Sequence, residues 1–202
     1  MLAREYQRRT ELFAGWRELL VRQLAPRRGD TVLDVGCGTG LNFAALRAAV
    51  GPEGTIVAIE ESPRLLVVAA RRVARRGWDN VELVNASPGT AQLSLRADAA
   101  LFAATPDVLA SSTALHNLFG QLRSGAPVAA GGWRWPDPWL WPLRAAVTAL
   151  AGPFVAEPAG LDRPWRLLRE YVANWHLEQS WFGIGYFAHG CNGTGDRPPI
   201  TP

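Results

Sequence analysis

The stretch Thr31-Val32-Leu33-Asp34-Val35-Gly36-Cys37-Gly38-Thr39-Gly40 decides the fold. Its first half is a short run, apolar but for Thr31 and Asp34, of the length of a buried parallel strand. Its second half sets glycine at alternate positions where the chain turns from strand into helix. With side chains absent from such a turn, a ligand can press against the backbone and meet the amide groups and the helix N-terminus. The spacing is Gly-x-Gly-x-Gly. A dinucleotide fingerprint is Gly-x-Gly-x-x-Gly and would need glycine where Leu41 stands, so the loop argues against a nicotinamide dinucleotide.

Outward from this loop, strand and helix patterns alternate. Residues 2–24 read as an amphipathic helix with a stripe of Leu12, Phe13, Trp16, Leu19, Leu20 and Val21, ended by Pro26. After the loop come a helix over 41–50, a strand over 55–59, and a helix capped by Ser62 with Pro63 at its first position, stopped at Gly77. Strands follow at 80–84 and 98–102, a helix from an Asp107 cap to 122, and a strand at 126–130. This order predicts an α/β, doubly wound and mostly parallel sheet with right-handed crossovers. Past Gly131-Gly132 the composition changes: Trp133, Trp135, Trp139, Trp141 and Trp165 crowd a proline-rich region. Helices are expected at 142–150 and 163–171, then an antiparallel strand pair at 173–180 and 185–191. One domain over 1–191 is expected, with an N-terminal helix at 1–25, a Trp-rich cap or substrate region at 133–171, and a mobile polar tail at 192–202.

Composition narrows the function. Apolar residues make up 48% of the chain, enough for a substantial core, and the formal charge is only +3. The chain has no lysine, which excludes a lysine Schiff base and a phosphate loop built on Gly-Lys-Ser/Thr. Its arginines are scattered, the tightest group being Arg71, Arg72, Arg75 and Arg76, read as a solvated helix face; no nucleic-acid partner is expected. No stretch reaches the roughly 20 apolar residues of a membrane span, and no signal core opens the chain, so no membrane partner is expected. Two cysteines make no disulfide framework, and a reducing cytoplasm is the expected compartment.

Glu60 completes the signal. It ends the second strand, one strand-helix unit after the glycine loop, where an acid can accept both hydroxyls of an adenosine ribose. Loop and acid together point to an adenosine-bearing cofactor. In these residues the chain resembles the class I S-adenosylmethionine-dependent methyltransferases: the first motif is matched by residues 32–40 and the second by Ile56-Val57-Ala58-Ile59-Glu60-Glu61-Ser62-Pro63. The resemblance runs from about Arg28 to Trp135. It implies a seven-stranded sheet and S-adenosylmethionine or S-adenosylhomocysteine as cofactor. By the resemblance Gly36, Cys37 and Gly38 line the methionine part, Glu60 holds the ribose and Glu61 flanks the adenine; Asp34, Gly40, Ala86, Ser87 and Ala103 complete the cofactor's surroundings.

The chain departs from that family at two places. Where an acid usually bonds the adenine amino group, it has Asn85-Ala86-Ser87-Pro88, whose amide or hydroxyl offers only a neutral partner. After the fourth strand, Ala103-Ala104-Thr105-Pro106-Asp107 offers Asp107 as its one strong base, with Tyr6 a second catalytic candidate. Many methyl transfers need no base, because alignment of donor, methyl and nucleophile supplies most of the acceleration.

Other residues read more plainly. Cys37 is a small loop residue rather than a nucleophile, and His116, His176, His189 and Cys191 match no zinc spacing, so no metal is expected. Trp133, Trp135 and Trp139 either pack the last helix against the sheet or, with Tyr6, line an aromatic substrate pocket. The N-terminal helix is either plain packing or a lid, with Tyr6 and Arg9 inward. The expected activity is methyl transfer to a small, apolar or aromatic molecule. The alternative is the same fold repurposed for a non-methylating cyclisation or isomerisation. A non-catalytic partner subunit is a third reading.

Overall fold

The computed structural model describes residues 14–134, 162–180 and 184–193. Helix α1 is Ala14–Leu24, strand β1 Thr31–Val35, α2 Phe43–Val50, β2 Thr55–Ile59, α3 Pro63–Arg76 and β3 Val81–Val84. Then come β4 Ala99–Ala103, a one-turn α4 Pro106–Leu109, α5 Ser112–Gly120 and β5 Pro127–Trp133. A 3-10 turn at Leu168–Glu170 leads into β6 Val172–Ser180 and β7 Gly185–Asn192.

The strands form one seven-stranded sheet in the order β3-β2-β1-β4-β5-β7-β6. The first five are parallel; β7 runs antiparallel between β5 and β6. Because a parallel strand is covered on both faces, its residues stay apolar on both. Leu33, Val35, Val57, Ile59, Ala100 and Phe102 pack with Leu109 of α4 and Leu115, Leu118 and Phe119 of α5. On the other face Val32, Ile56, Ala58 and Leu101 pack with α1, α2 and α3. The chain order reverses between β1 and β4, so the carboxyl ends of these two strands frame the crevice where such sheets take ligands.

Several elements differ from the sequence reading. The expected helix over 107–122 is broken in two. Ser111 adopts an extended backbone and its Oγ accepts a hydrogen bond from the Ala114 N–H at 3.2 Å, starting a new helix. Asp107 is therefore no long-helix cap; it lies exposed in the first turn of α4. Apolar spacing hid the break, since Leu109, Leu115 and Leu118 all reach the same core. The helix expected at 163–171 shrinks to the 3-10 turn, with Trp165 and Leu168 buried around it. Ser62 does stand at the start of α3, but its side chain makes no capping bond.

The end of the domain also moves. Asn192 belongs to β7 rather than to a mobile tail. It is 3% exposed, its Nδ2 donates to the Arg123 carbonyl at 2.9 Å, and its N–H donates to the Ala126 carbonyl. A polar side chain at a strand end looks like tail in one dimension. In the fold it satisfies the turn that feeds β5. Tyr6, Arg9, Trp135, Trp139, Trp141, the helix expected at 142–150 and the tail from 194 lie outside the described residues.

Candidate cofactor site

The glycine loop leaves β1 through a left-handed turn. Gly36, Gly38 and Gly40 have φ of 63°, 58° and 74°, a region that residues bearing a Cβ rarely enter. Space is also lacking. A Cβ on Gly36 would stand 2.5 Å from the Thr105 Cγ2, and one on Gly40 would meet the ring of Phe43. The loop is pinned to its neighbours by the Cys37 N–H on the Ile59 carbonyl at 3.0 Å and by the Arg72 Nε, reaching from α3 to the Thr39 carbonyl at 3.0 Å.

Glu60 directly follows β2 and is 7% exposed. Its Oε2 accepts from the Gly38 N–H at 2.9 Å and its Oε1 from the Ser62 N–H at 2.8 Å. The carboxylate thus ties the glycine loop to the start of α3. Each oxygen keeps a second lone pair with which to receive a hydroxyl. Glu61 beside it is exposed.

Asp34 is fully buried on the α1 side of β1. Its Oδ1 accepts from the Asn42 Nδ2 at 2.9 Å; its Oδ2 has no partner, nor has the Asn42 Oδ1. Burial pushes the Asp34 carboxyl up to about 7, against the hydrogen bond from Asn42 and the positive charge of Arg17, with Glu60 adding repulsion. Cys37 is buried too, and burial beside two acids pushes its thiol up, which keeps it protonated and unreactive. With Glu60 beside it, the loop disfavours a pyrophosphate and favours a cation.

The stretch after β3 divides its labour differently from the sequence reading. Asn85 is turned to the backbone: its Nδ2 donates to the Glu60 carbonyl at 2.8 Å and to the Glu61 carbonyl at 3.2 Å. It shapes the turn that carries Glu60. Ala86 packs against the apolar layer under α5. Ser87 is exposed, and its carbonyl receives the amides of Thr90 and Ala91. Of the three, Ser87 alone presents a side chain outward with no packing role.

On the other side of the crevice, Ala103 is half-buried and in register with Gly131. Ala104 has a φ of 58°, an uncommon conformation for a non-glycine residue, and its N–H is held by the Gly131 carbonyl at 2.8 Å. Thr105, half-buried beside Gly36, has its buried Oγ1 without a partner. Trp133 is half-buried at the end of β5, opposite Gly185. Asp107 is exposed on the outer side of this turn.

Two residues that the sequence reading missed belong here. Arg17 of α1 bears on Asp34. Tyr186 of β7, 1% exposed, has its hydroxyl 3.5 Å from where a Cβ on Gly132 would stand. Arg17 had a signal: it lies four and seven residues before Val21 and Leu24, on the face that must be buried. Tyr186 had none, because its position depends on β7 entering the sheet beside β5.

Comparison with known proteins places the chain among methyltransferases. The family described as Protein-L-isoaspartate(D-aspartate) O-methyltransferase matches residues 10–127. A demethylmenaquinone methyltransferase of Geobacillus kaustophilus is 40% identical over 70 residues, 35% of this chain and 30% of the relative. A protein-L-isoaspartate O-methyltransferase of Ignicoccus hospitalis is 43% identical over 58 residues, 29% of this chain and 28% of the relative. The chain thus spans about a third or less of the curated relatives it matches. Among solved structures, a SAM-dependent methyltransferase from Aquifex aeolicus superposes with a TM-score of 0.60 at 19% identity, covering 87% of this chain and 89% of the other, a likeness of fold.

Proposed function

This chain belongs to the protein-L-isoaspartate(D-aspartate) O-methyltransferase family, and from that premise we propose that it transfers a methyl group from S-adenosylmethionine to a small, apolar or aromatic acceptor. The observation that carries the cofactor is the loop with its two acids. Gly36, Gly38 and Gly40 leave backbone for a ligand to approach, and Glu60 lies in register to receive the ribose. Asp34 and Asn42 keep buried oxygens without partners. An unmatched buried acceptor costs about 1–3 kcal/mol, which a donor on the ligand would relieve. The acids also suit a cationic sulfonium compound better than an anionic dinucleotide. When bound, S-adenosylmethionine supplies an electrophilic methyl group.

What the chain itself does is hold and exclude. Glu60 would take the ribose, Ser87 the adenine edge, and the glycine loop with Asp34 the amino-acid end. Ala103, Ala104 and Thr105 form the floor on which the acceptor would meet the donor. In keeping with an apolar acceptor, Trp133, Trp165 and Tyr186 gather at the same end of the sheet, Trp165 and Tyr186 with ring centroids 4.9 Å apart. Asp107, the acid that follows this floor in the chain, is exposed. Such a site favours an acceptor that is already nucleophilic and gains by alignment.

Isothermal titration of the purified chain with S-adenosylmethionine and with S-adenosylhomocysteine tests the first half of the proposal. Saturable binding of both is expected, and heat-silent mixing with intact folding would overturn it. Incubation with candidate aromatic acceptors, read by mass spectrometry, tests the second. A product heavier by one methyl group supports transfer, whereas a product of unchanged mass would favour the non-methylating alternative.

A further inference from the structure

Helix α3 is amphipathic, and its outward side is cationic. Its 14 residues hold five arginines and no acid. Ala69 is buried and Leu66 and Val73 pack with it in the core, which turns Arg64, Val67, Arg71 and Arg75 outward at three- and four-residue spacing. Arg72, to one side of that stripe, is spent on the Thr39 carbonyl of the glycine loop. The stripe covers roughly 16 Å of helix. It begins beside the crevice, because the Ser62 N–H just ahead of α3 is held by the Glu60 carboxylate.

Among the described residues nothing neutralises this face. Arg64, Arg71, Arg75 and Arg76 are exposed, and none of them has an ion-pair partner there. Asp79, the first acid past the helix, is taken by Arg47 at 3.7 Å. Helix stability accounts for only part of the pattern. Arg75 and Arg76 stand in the last turn, where cations favour the macrodipole, but Arg64 stands in the first turn, where they oppose it. Arg71 and Arg75 are like charges four residues apart, a pair that weakens a helix. An external anion would relieve both. Between the arginines Val67 is 49% exposed, one of two large apolar side chains so exposed among the described residues. No aromatic ring stands in the stripe to stack on a base, as a single-stranded nucleic acid would need. Arginines with an apolar residue among them, on the outer face of an amphipathic helix, suit lipid phosphates at a membrane surface.

We propose that the arginine face of α3 docks the protein on an anionic lipid surface, which holds the mouth of the crevice against the phase where an apolar acceptor dissolves. Docking needs no spanning segment, and no described helix is long and apolar enough to cross a membrane. The source of the acceptor rests on the apolar-acceptor reading above. The docking itself does not, since it is read from charge on a helix face outside the site.

The test is co-sedimentation of the full chain with vesicles of phosphatidylcholine alone and of phosphatidylcholine mixed with phosphatidylglycerol. Binding is expected to the mixed vesicles only, and to fall as salt is raised. Arg64→Gln, Arg71→Gln and Arg75→Gln should each lower the partition about fivefold, and the triple variant about 100-fold. Arg169→Gln, equally exposed beside Leu168 on the other face of the sheet, should change it less than about twofold. A native melting temperature reports that the triple variant is folded; if it melts early, the single variants carry the comparison. Equal binding to both vesicle types, binding to neither, or arginine variants that bind like the native chain would overturn the proposal. So would tighter binding of an RNA homopolymer than of the mixed vesicles at one salt concentration, which would give the face to nucleic acid. None of these outcomes touches the cofactor reading, which titration tests separately.

Discussion

Around β1 and β2 the decisive contacts are made to the backbone; around β5 and β7 they are made between rings. In the first region Glu60 and Asn85 spend their polar atoms on main-chain groups of the loop and of the turn after β2. Three left-handed glycines hold the turn open. In the second region the rings of Phe119 and Tyr171, and of Trp165 and Tyr186, meet at tilted angles with centroids 4.9–5.0 Å apart, and Tyr186 carries β7 into that packing. The difference separates two ways of building a site. A backbone-held site tolerates few substitutions because its geometry is local and stiff. A ring-packed one is stabilised by area, and a hole in it lowers stability before it alters chemistry.

Gly36→Val is expected to break the first region most severely. It puts a branched side chain at a φ of 63° and 2.5 Å from the Thr105 methyl, adding strain and overpacking of about 1–3 kcal/mol each. Cofactor binding should be lost in titration, and a variant that binds normally would show that the loop does not touch the cofactor. Trp165→Ala makes the matching cut in the second region. It should cost about 3–5 kcal/mol of stability in denaturant melts, yet leave S-adenosylhomocysteine affinity near native at a temperature where the variant is folded. A large drop in that affinity would erase the distinction between the regions.

A pH series sharpens the comparison. Burial raises the Asp34 carboxyl from 3.8 to about 7, so the folded chain holds that proton more firmly than the unfolded chain does. Its contribution to stability is full below about pH 4 and is lost as pH rises toward about 7, by on the order of 4 kcal/mol when this group acts alone. Asp34→Asn should flatten that slope in melts taken from pH 5 to 8. Parallel curves for the two proteins would mean that Asp34 stays charged in the fold.

Two smaller effects concern the ribose and adenine ends. Glu60→Ala should weaken the cofactor by about 1.5–3 kcal/mol. It should also lower the melting temperature, because the Gly38 and Ser62 amides lose their acceptor. Binding that survives unchanged would remove Glu60 from the site. Ser87→Asp should tighten adenosine binding by about 1 kcal/mol, since a charged acceptor roughly doubles a neutral bond. The gain should vanish for an analogue without the adenine amino group, and a gain that persists there would place the adenine elsewhere. Ala86→Asp should give no such gain, because Ala86 faces the apolar layer.

The sequence by itself determined what depends on neighbours in the chain. Glycine at 36, 38 and 40 dictates a left-handed turn wherever the strand leads. The alternation of apolar runs with amphipathic stretches dictates strands and helices, and Glu60 falls at a strand end by count alone. Breaks inside a continuous apolar pattern escaped it, as between α4 and α5, because one hydroxyl bond at Ser111 changes the helix without changing its periodicity. So did roles that need a partner from far along the chain. Asn85 could be read as an adenine ligand until its amide met the carbonyls of Glu60 and Glu61. Asn192 could be read as tail until it met Arg123, and Tyr186 was one aromatic among many until β7 lay beside Gly132. Only the tertiary structure decided that Asp34 is fully buried and that the charge of Arg17 bears on it. The physical reason is that burial and charge coupling arise from elements packed across the sheet, which sequence neighbours do not encode.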